Sequence, residues 1–213
     1  FSVLLYFRND LLMMIHGLVD FKKKNYSSYR ISMILKIVFA TLPIVIVGAI
    51  AHSYISENFR SPKLIATTLI IGGILLYFAD KIGKNEKSFK TMTYRDAFLI
   101  GCAQILAMIP GVSRSGITMT MARFLGLSRT ESARFSMLMS IPTILMAGGL
   151  GFLICFTSEE AFYPEKTLLF GLITAFIFGV IAIYFLMKWL KTSSFIIFTI
   201  YRLILGGIIF IVF

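Results

Sequence analysis

Residues 97–116 read AFLIGCAQILAMIPGVSRSG, and where this stretch breaks decides the fold. Ala97–Ile109 is apolar for 13 residues and then stops at Pro110-Gly111. Crossing ~30 Å of hydrocarbon takes roughly 17–25 helical residues, so the segment is too short to span. A second short helix, Ile117–Leu127, follows the loop and ends near Gly126. Together they read as a re-entrant helical hairpin over 94–127, dipping into the bilayer and returning to the face it left. Thr93-x-x-Asp96 and Ser128-x-x-Glu131 have capping-box spacing. The first would open the hairpin and the second the helix after it.

The rest of the chain has the composition of a membrane protein. Hydrophobic residues make up 58% of it and charged residues 15%, with a mean hydropathy of +0.87. A soluble domain averages about 45–50% apolar and roughly 25% charged. Five apolar segments are long enough to span: Ile31–Ala51, Pro62–Ala79, Phe135–Phe156, Thr167–Met187 and Phe195–Phe213. The opening Phe1-Ser2-Val3-Leu4-Leu5-Tyr6-Phe7 reads as the end of a sixth, with the chain's beginning missing. No ten-residue alternation of barrel type occurs, so the expectation is an all-α integral membrane protein, a polytopic helical bundle. Paired glycines at 72–73, 148–149 and 206–207 are expected to let helices approach closely.

Charge placement tests the hairpin. If it re-enters, one side of the membrane receives Arg8, Lys22, Lys23, Lys24 and Arg30. The same side receives Lys81, Lys84, Lys87, Lys90, Arg95, Arg123, Arg129, Arg134, Lys188 and Lys191. The other side holds Arg60, Lys63 and Lys166 beside the acidic Glu159, Glu160 and Glu165. Lys36, Arg114 and Arg202 stay within membrane segments. A fully crossing hairpin would invert the later loops and destroy this bias. The positive-inside rule therefore favours re-entrance, with the basic side cytoplasmic. The net charge of +11 marks orientation rather than nucleic-acid binding, because the basic residues sit in short segments between apolar runs. Cys102 and Cys155 read as small packing residues, and His16 and His52 each stand alone.

Arg114 is the residue that needs a reason. An unpaired charge at the tip of an apolar hairpin costs a few kcal/mol, so such residues face a cavity and find a partner. Its surroundings suit an anion: hydroxyls at Ser113 and Ser115, glycines at 111 and 116, and a helix start with free N–H groups. The guanidinium offers a planar fork for phosphate oxygens, and Thr118 stands one turn on. The plainer alternative is a Pro-Gly turn between packed helices, with Arg114 paired to a distant carboxylate. Gln104, six residues before the loop, either hydrogen-bonds a phosphate or joins two helices. Arg202, beside Tyr201 in the last apolar segment, is either a structural contact or support for the site.

The stretch Pro110-Gly-Val-Ser-Arg-Ser-Gly-Ile-Thr118 resembles the second signature of the bacterial undecaprenyl-pyrophosphate phosphatases, the bacitracin-resistance family. Met92-Thr-Tyr-Arg-Asp-Ala-Phe98, Gly101-Cys-Ala-Gln104 and Ile200-Tyr-Arg202 support it, and the resemblance runs over essentially the whole chain. It implies an inverted repeat, each half a re-entrant hairpin followed by three spanning helices. Residues 92–213 would be a complete second repeat and residues 1–91 a remnant of the first. The glutamate pair, serine-rich turn and histidine of the first hairpin are absent.

The resemblance further implies hydrolysis of undecaprenyl pyrophosphate to undecaprenyl phosphate and inorganic phosphate, recycling the carrier for peptidoglycan synthesis. Arg114 would bind and stabilise the pyrophosphate, with Ser113 a nucleophile or ligand and Ser115, Gly116, Thr118, Gly111 and Gln104 ligands. A divalent cation (Mg²⁺ or Ca²⁺) is implied by the family alone, its carboxylates being expected in the absent part. Membrane lipids, bacitracin as a competitor for the substrate, a homodimer and a multi-pass place in the inner membrane complete the expectation, with a pocket opening outward. Two alternatives stay open at this point: a polyprenyl-phosphate transporter or flippase using the same repeat, and a catalytically incomplete fragment.

Overall fold

The computed structural model describes residues 1–22, 28–157 and 165–213. Lys23, Lys24, Glu159 and Glu160 of the charge pattern fall outside these, as do the side chains of Lys22, His52, Cys155, Glu165 and Lys166. Among the described residues all regular elements are helical: α1 (Ser2–Tyr6), α2 (Arg8–Lys22), α3 (Tyr29–Asn58), α4 (Pro62–Ile82), α5 (Tyr94–Ile105), α6 (Arg114–Phe124), α7 (Arg129–Thr157), α8 (Glu165–Trp189) and α9 (Ile196–Val212). Tyr29–Ala51, Pro62–Ile82 and Leu168–Trp189 are long and apolar enough to cross a membrane, and Ile196–Val212 is a shorter apolar helix. This is an all-helical membrane protein. The stretch after Phe7, read from the sequence only for its basic residues, forms the helix α2 over Arg8–Lys22.

Two arms meet where the break at Pro110 suggested. Helix α5 packs along α3, α6 packs along α4, and the two arms pack on each other. Gly101 makes the first contact possible, because a Cβ there would collide with the Ala40 carbonyl. Helix α5 starts on a full capping box: the Thr93 hydroxyl accepts from Asp96 N at 3.1 Å, and the Asp96 carboxylate accepts from Thr93 N at 2.9 Å. Lys87 Nζ adds a second donor to the Asp96 carboxylate at 2.9 Å. Burial pushes the Asp96 carboxyl up, but the hydrogen bonds from Lys87 and Thr93 outweigh it and hold it below the usual carboxylate range. A depressed pKa contributes stability above the unfolded value of ~4 that is lost as pH falls through the folded value. Acid unfolding followed by helical ellipticity should therefore be shallower below pH ~4 in Asp96→Asn than in the parent, with a lower stability at neutral pH.

Helix α6 ends in a Schellman motif. Gly126, at φ +91°, donates to Arg123 O at 3.0 Å, and Leu127 N donates to Ala122 O at 3.0 Å. The turn is then stitched to the 83–93 segment, with Glu86 N and Lys87 N on Gly126 O and Ser128 N on Lys87 O. The second capping box is only half made. Ser128 Oγ accepts from Glu131 N at 3.3 Å, but Glu131 turns away to accept from Phe89 N at 2.8 Å and to pair with Arg134. The backbone N–H of Ser128 is already used by Lys87, which leaves that carboxylate free for Phe89.

The glycine pairs divide. A Cβ at Gly73 would lie 3.3 Å from Arg202 Cβ, and one at Gly206 2.7 Å from Ile70, so α4 and α9 do cross on small residues. Gly148, Gly149 and Gly207 meet no neighbour within 4 Å, so close packing does not explain them.

Charge placement holds the main surprise. Arg123, counted from the sequence among the basic residues of the cytoplasmic side, is fully buried at the C-terminal turn of α6. It donates to Asp80 Oδ1 at 3.2 Å, Asn85 Oδ1 at 2.8 Å, Gly83 O at 2.8 Å, Asp80 O at 3.2 Å and Leu127 O. Lys36 is buried as well, donating to Phe89 O at 3.1 Å between the faces of Phe89 and Tyr94. Arg134 pairs with both Asp10 and Glu131. These basic residues act as interior fasteners; the positive-inside tally counts Arg123 and Arg134 but cannot tell them from solvated ones.

Candidate active site

The loop between the two arms is built from three local decisions. After α5 a short 3₁₀ turn, Leu106–Met108, tightens the chain, and Ile109 then becomes extended before Pro110. Gly111 follows at φ +88°, a conformation that favours glycine. Ser113 stands at φ 65°, the sole described non-glycine residue with positive φ, and caps α6 by accepting from Gly116 N at 3.3 Å. Such a backbone costs roughly 1–3 kcal/mol and persists only where the surroundings hold it, which is common at active sites.

Two side chains from other helices do the holding. Thr68 of α4 donates its hydroxyl to Pro110 O at 2.7 Å. Arg202 of α9 donates to Gly111 O at 3.1 Å, Thr68 O at 3.3 Å and Leu69 O at 3.3 Å. A Cβ at Gly116 would sit 2.7 Å from Arg202 Nη1, so this glycine brings a second guanidinium against the start of α6. Of the two readings of Arg202, the geometry supports both at once: it is a structural contact, and what it contacts is the loop.

Ser113, Ser115, Gly116, Tyr201 and Arg202 line one cavity of about 230 Å³. Its remaining walls are apolar, with Leu69, Leu76, Met119, Met137, Leu186, Phe195 and Phe198. A polar end at a helix N-terminus thus joins an apolar chamber, a combination suited to an anionic head on a hydrocarbon tail. A larger recess of about 360 Å³ between α4 and α9 is walled by Ile74, Tyr77, Phe78, Ile196, Thr199, Ile200 and Leu203. It holds no basic group, so chemistry points to the smaller one.

The other sequence-selected residues do not line this cavity: Gly111 lies against Ile65 and Thr68 of α4, and Arg114, Thr118 and Gln104 face α7. Arg114, only partly buried, donates to Ser136 O at 3.4 Å and makes no ion pair with a carboxylate among the described residues. The alternative of a distant carboxylate partner finds no support there. Thr118 is fully buried, donating to Arg114 O at 2.9 Å or Ser115 O at 3.1 Å and lying 2.7 Å from Ser136 Oγ. Gln104 is fully buried too; its amide donates to Thr143 Oγ1 at 3.4 Å and joins α5 to α7, while its Oε1 has no partner. Sequence reasoning missed Thr68 altogether, since nothing in a membrane helix marks one threonine as reaching a loop 42 residues away.

Among the described residues no three His, Cys, Asp or Glu side chains converge as metal ligands. These residues do not fit a divalent cation, and no step of the chemistry below is routed through one.

Comparison with known proteins now bears on this geometry. The family model described as bacitracin resistance protein BacA matches residues 1–208. The chain belongs to the BacA family. Curated relatives include the undecaprenyl-diphosphatase of Alteromonas mediterranea, 39% identical over 210 residues, covering 98% of this chain and 78% of that protein. Proteins of the same name from Trichormus variabilis (40% identical, 96% of this chain, 66% of the relative) and Dinoroseobacter shibae (38%, 100% and 79%) align similarly. The Pro110–Thr118 loop, α7 and the Tyr201-Arg202 pair all lie within the matched range of this BacA family member.

Proposed function

We infer that this chain is a membrane-embedded hydrolase that cleaves undecaprenyl pyrophosphate to undecaprenyl phosphate and inorganic phosphate. The carrying observation is the family match over residues 1–208, with a loop at 110–116 whose serines and neighbouring arginine open into an apolar chamber. The transporter reading is not favoured, because the curated relatives are named for a hydrolase.

In this reading the pyrophosphate lies across the start of α6. Arg114 and the Arg202 guanidinium neutralise charge on the transferring phosphoryl group, and the first-turn N–H groups and the Ser115 hydroxyl take its oxygens. Phosphoryl transfer is mostly positioning and electrostatics, so fixed cations and dipoles are the expected machinery. Ser113 is a nucleophile or a phosphate ligand; its strained backbone is consistent with either. Gln104 and Thr118 serve mainly to seat the hairpin on α7, and the Gln104 Oε1 keeps one acceptor for a bound donor. The hairpin is read as re-entrant, with five spanning helices and the end of a sixth, residues 1–91 and 92–213 being two inverted repeats. The pocket then opens to the outer face of the inner membrane, bacitracin competes for the substrate, and a homodimer belongs to the same proposal.

Orthophosphate release from undecaprenyl pyrophosphate in nanodiscs tests the function directly. Release by the purified protein supports hydrolysis, whereas lipid translocation without release would overturn it. Gly116→Ala should lower kcat roughly 10–100-fold with a smaller effect on the thermal midpoint, since the added methyl displaces the flexible end of Arg202 and presses on Ser113 Oγ at 3.2 Å and Cβ at 3.3 Å. An unchanged kcat would remove Arg202 from the site.

A further inference from the structure

Asp80 lies in the last turn of α4 and is buried. Its carboxylate is shared among three other helices. Oδ1 accepts from Arg123 Nε of α6 at 3.2 Å and from Arg129 Nε of α7 at 2.7 Å. Oδ2 accepts from Phe195 N at 3.0 Å, the backbone group that caps the start of α9. One side chain therefore ties the last turn of α6 to the first turn of α9. The opposite end of α6 is the Arg114–Gly116 turn, and two turns into α9 stands Arg202, whose guanidinium meets that same turn.

Rigid helices transmit their axial position from end to end, rising 1.5 Å per residue. The height of Arg202 relative to Gly111 and Gly116 is thus set jointly by the loop contacts and by the anchor at Phe195. Between these ends α6 and α9 each pack on α4, α9 through Thr199 Oγ1 on Gly73 O and Arg202 on Leu69 O and Thr68 O, all at 3.3 Å, while Met119 of α6 and Phe198 of α9 face one chamber. Asp80 stands on that shared helix and holds the end of α6 and the start of α9 to one point of it, through a guanidinium and a backbone N–H.

We propose that Asp80 is a positioning residue for the hydrolysis, setting the register of α6 against α9 and so the placement of Arg202 over the phosphate-binding turn. The proposal rests on the hydrolase reading above. A misplacement of about 1 Å at a reacting centre is worth about 100-fold in rate, so loss of the anchor should act on kcat.

The obvious alternative is that Asp80 only neutralises a buried arginine. Asp80→Asn and the charge-free pair Asp80→Leu/Arg123→Met separate the two, because removing both charges avoids stranding either one. Each is assayed for undecaprenyl-pyrophosphate hydrolysis and thermal midpoint. Each is also built, without native cysteines, with Met119→Cys and Phe198→Cys, whose bridging rate by a short bifunctional reagent reads the α6–α9 register. The expected result is a kcat at least 10-fold down with KM within 2-fold in both variants, and slowed bridging. The double variant should show these losses while melting close to the parent. Parental kcat in the double variant, or lost kcat with parental bridging, would overturn the proposal and leave Asp80 a structural counter-ion. If the double variant melts early, the bridging rate in folded Asp80→Asn decides between the same two outcomes. A parent protein that releases no phosphate would sink the hydrolase reading itself, a result distinct from any of these.

Discussion

Arg114→Ala should lower phosphate release from undecaprenyl pyrophosphate about 1,000-fold without unfolding the protein. The size follows from what a fixed donor contributes to a developing oxyanion, about 100–1,000-fold, and from arginines that stabilise phosphoryl transfer at 1,000-fold or more. The tolerance follows from how little protein the side chain holds. Its described polar contact is one long bond to Ser136 O at 3.4 Å, and it pairs with no described carboxylate. A charge placed in a membrane hairpin at such cost and left so loosely bound is held for a ligand. Arg114→Lys should recover only a small part of the rate, since an ammonium cannot present two parallel N–H groups to one phosphate. Steady-state kinetics with purified variants would check both values. A kcat within a factor of about 3 of the parent in Arg114→Ala would remove this residue from the chemistry.

Arg123→Met has the opposite profile: a large loss of stability rather than a specific loss of chemistry. Arg123 is entirely buried and satisfies Asp80, Asn85 and the carbonyls of Gly83, Asp80 and Leu127. Breaking one side of a buried ion pair costs about 3–5 kcal/mol, because the remaining charge stays desolvated and unpaired. Arg129 still reaches Asp80 at 2.7 Å and is partly exposed, which places the expectation near the lower end of that range. For a chain of this size that is a fall in thermal midpoint of roughly 10 °C, measurable by cysteine-reactive dye or by loss of helical ellipticity. A midpoint within about 2 °C of the parent would show that the carbonyl contacts re-form around a water.

Much of the fold was legible because a membrane leaves few options. Length, hydropathy and the break at Pro110 identify the spanning candidates and the short arms from local sequence alone, since each depends on the residues of one segment. The Thr93–Asp96 capping box was legible for the same reason. The Ser128–Glu131 box failed because a distant group, Phe89 N, competed for its carboxylate. The glycine pairs show the same limit: a helix carries its small residues visibly, yet whether a neighbour arrives beside them is decided elsewhere.

At the site, the sequence by itself determined the phosphate-suited loop, with Pro110, Gly111, Ser113, Arg114, Ser115 and Gly116 contiguous and chemically coherent. Only the tertiary structure decided what stands around it. Thr68 and Arg202 reach the loop from α4 and α9, and Arg123 turns to Asp80, Gly83 and Asn85 in the interior, because these partners lie 38–134 residues away. A local motif encodes which atoms can bind an anion. Which cations and carboxylates hold that motif in place depends on helix packing, and no single stretch of the chain contains that information.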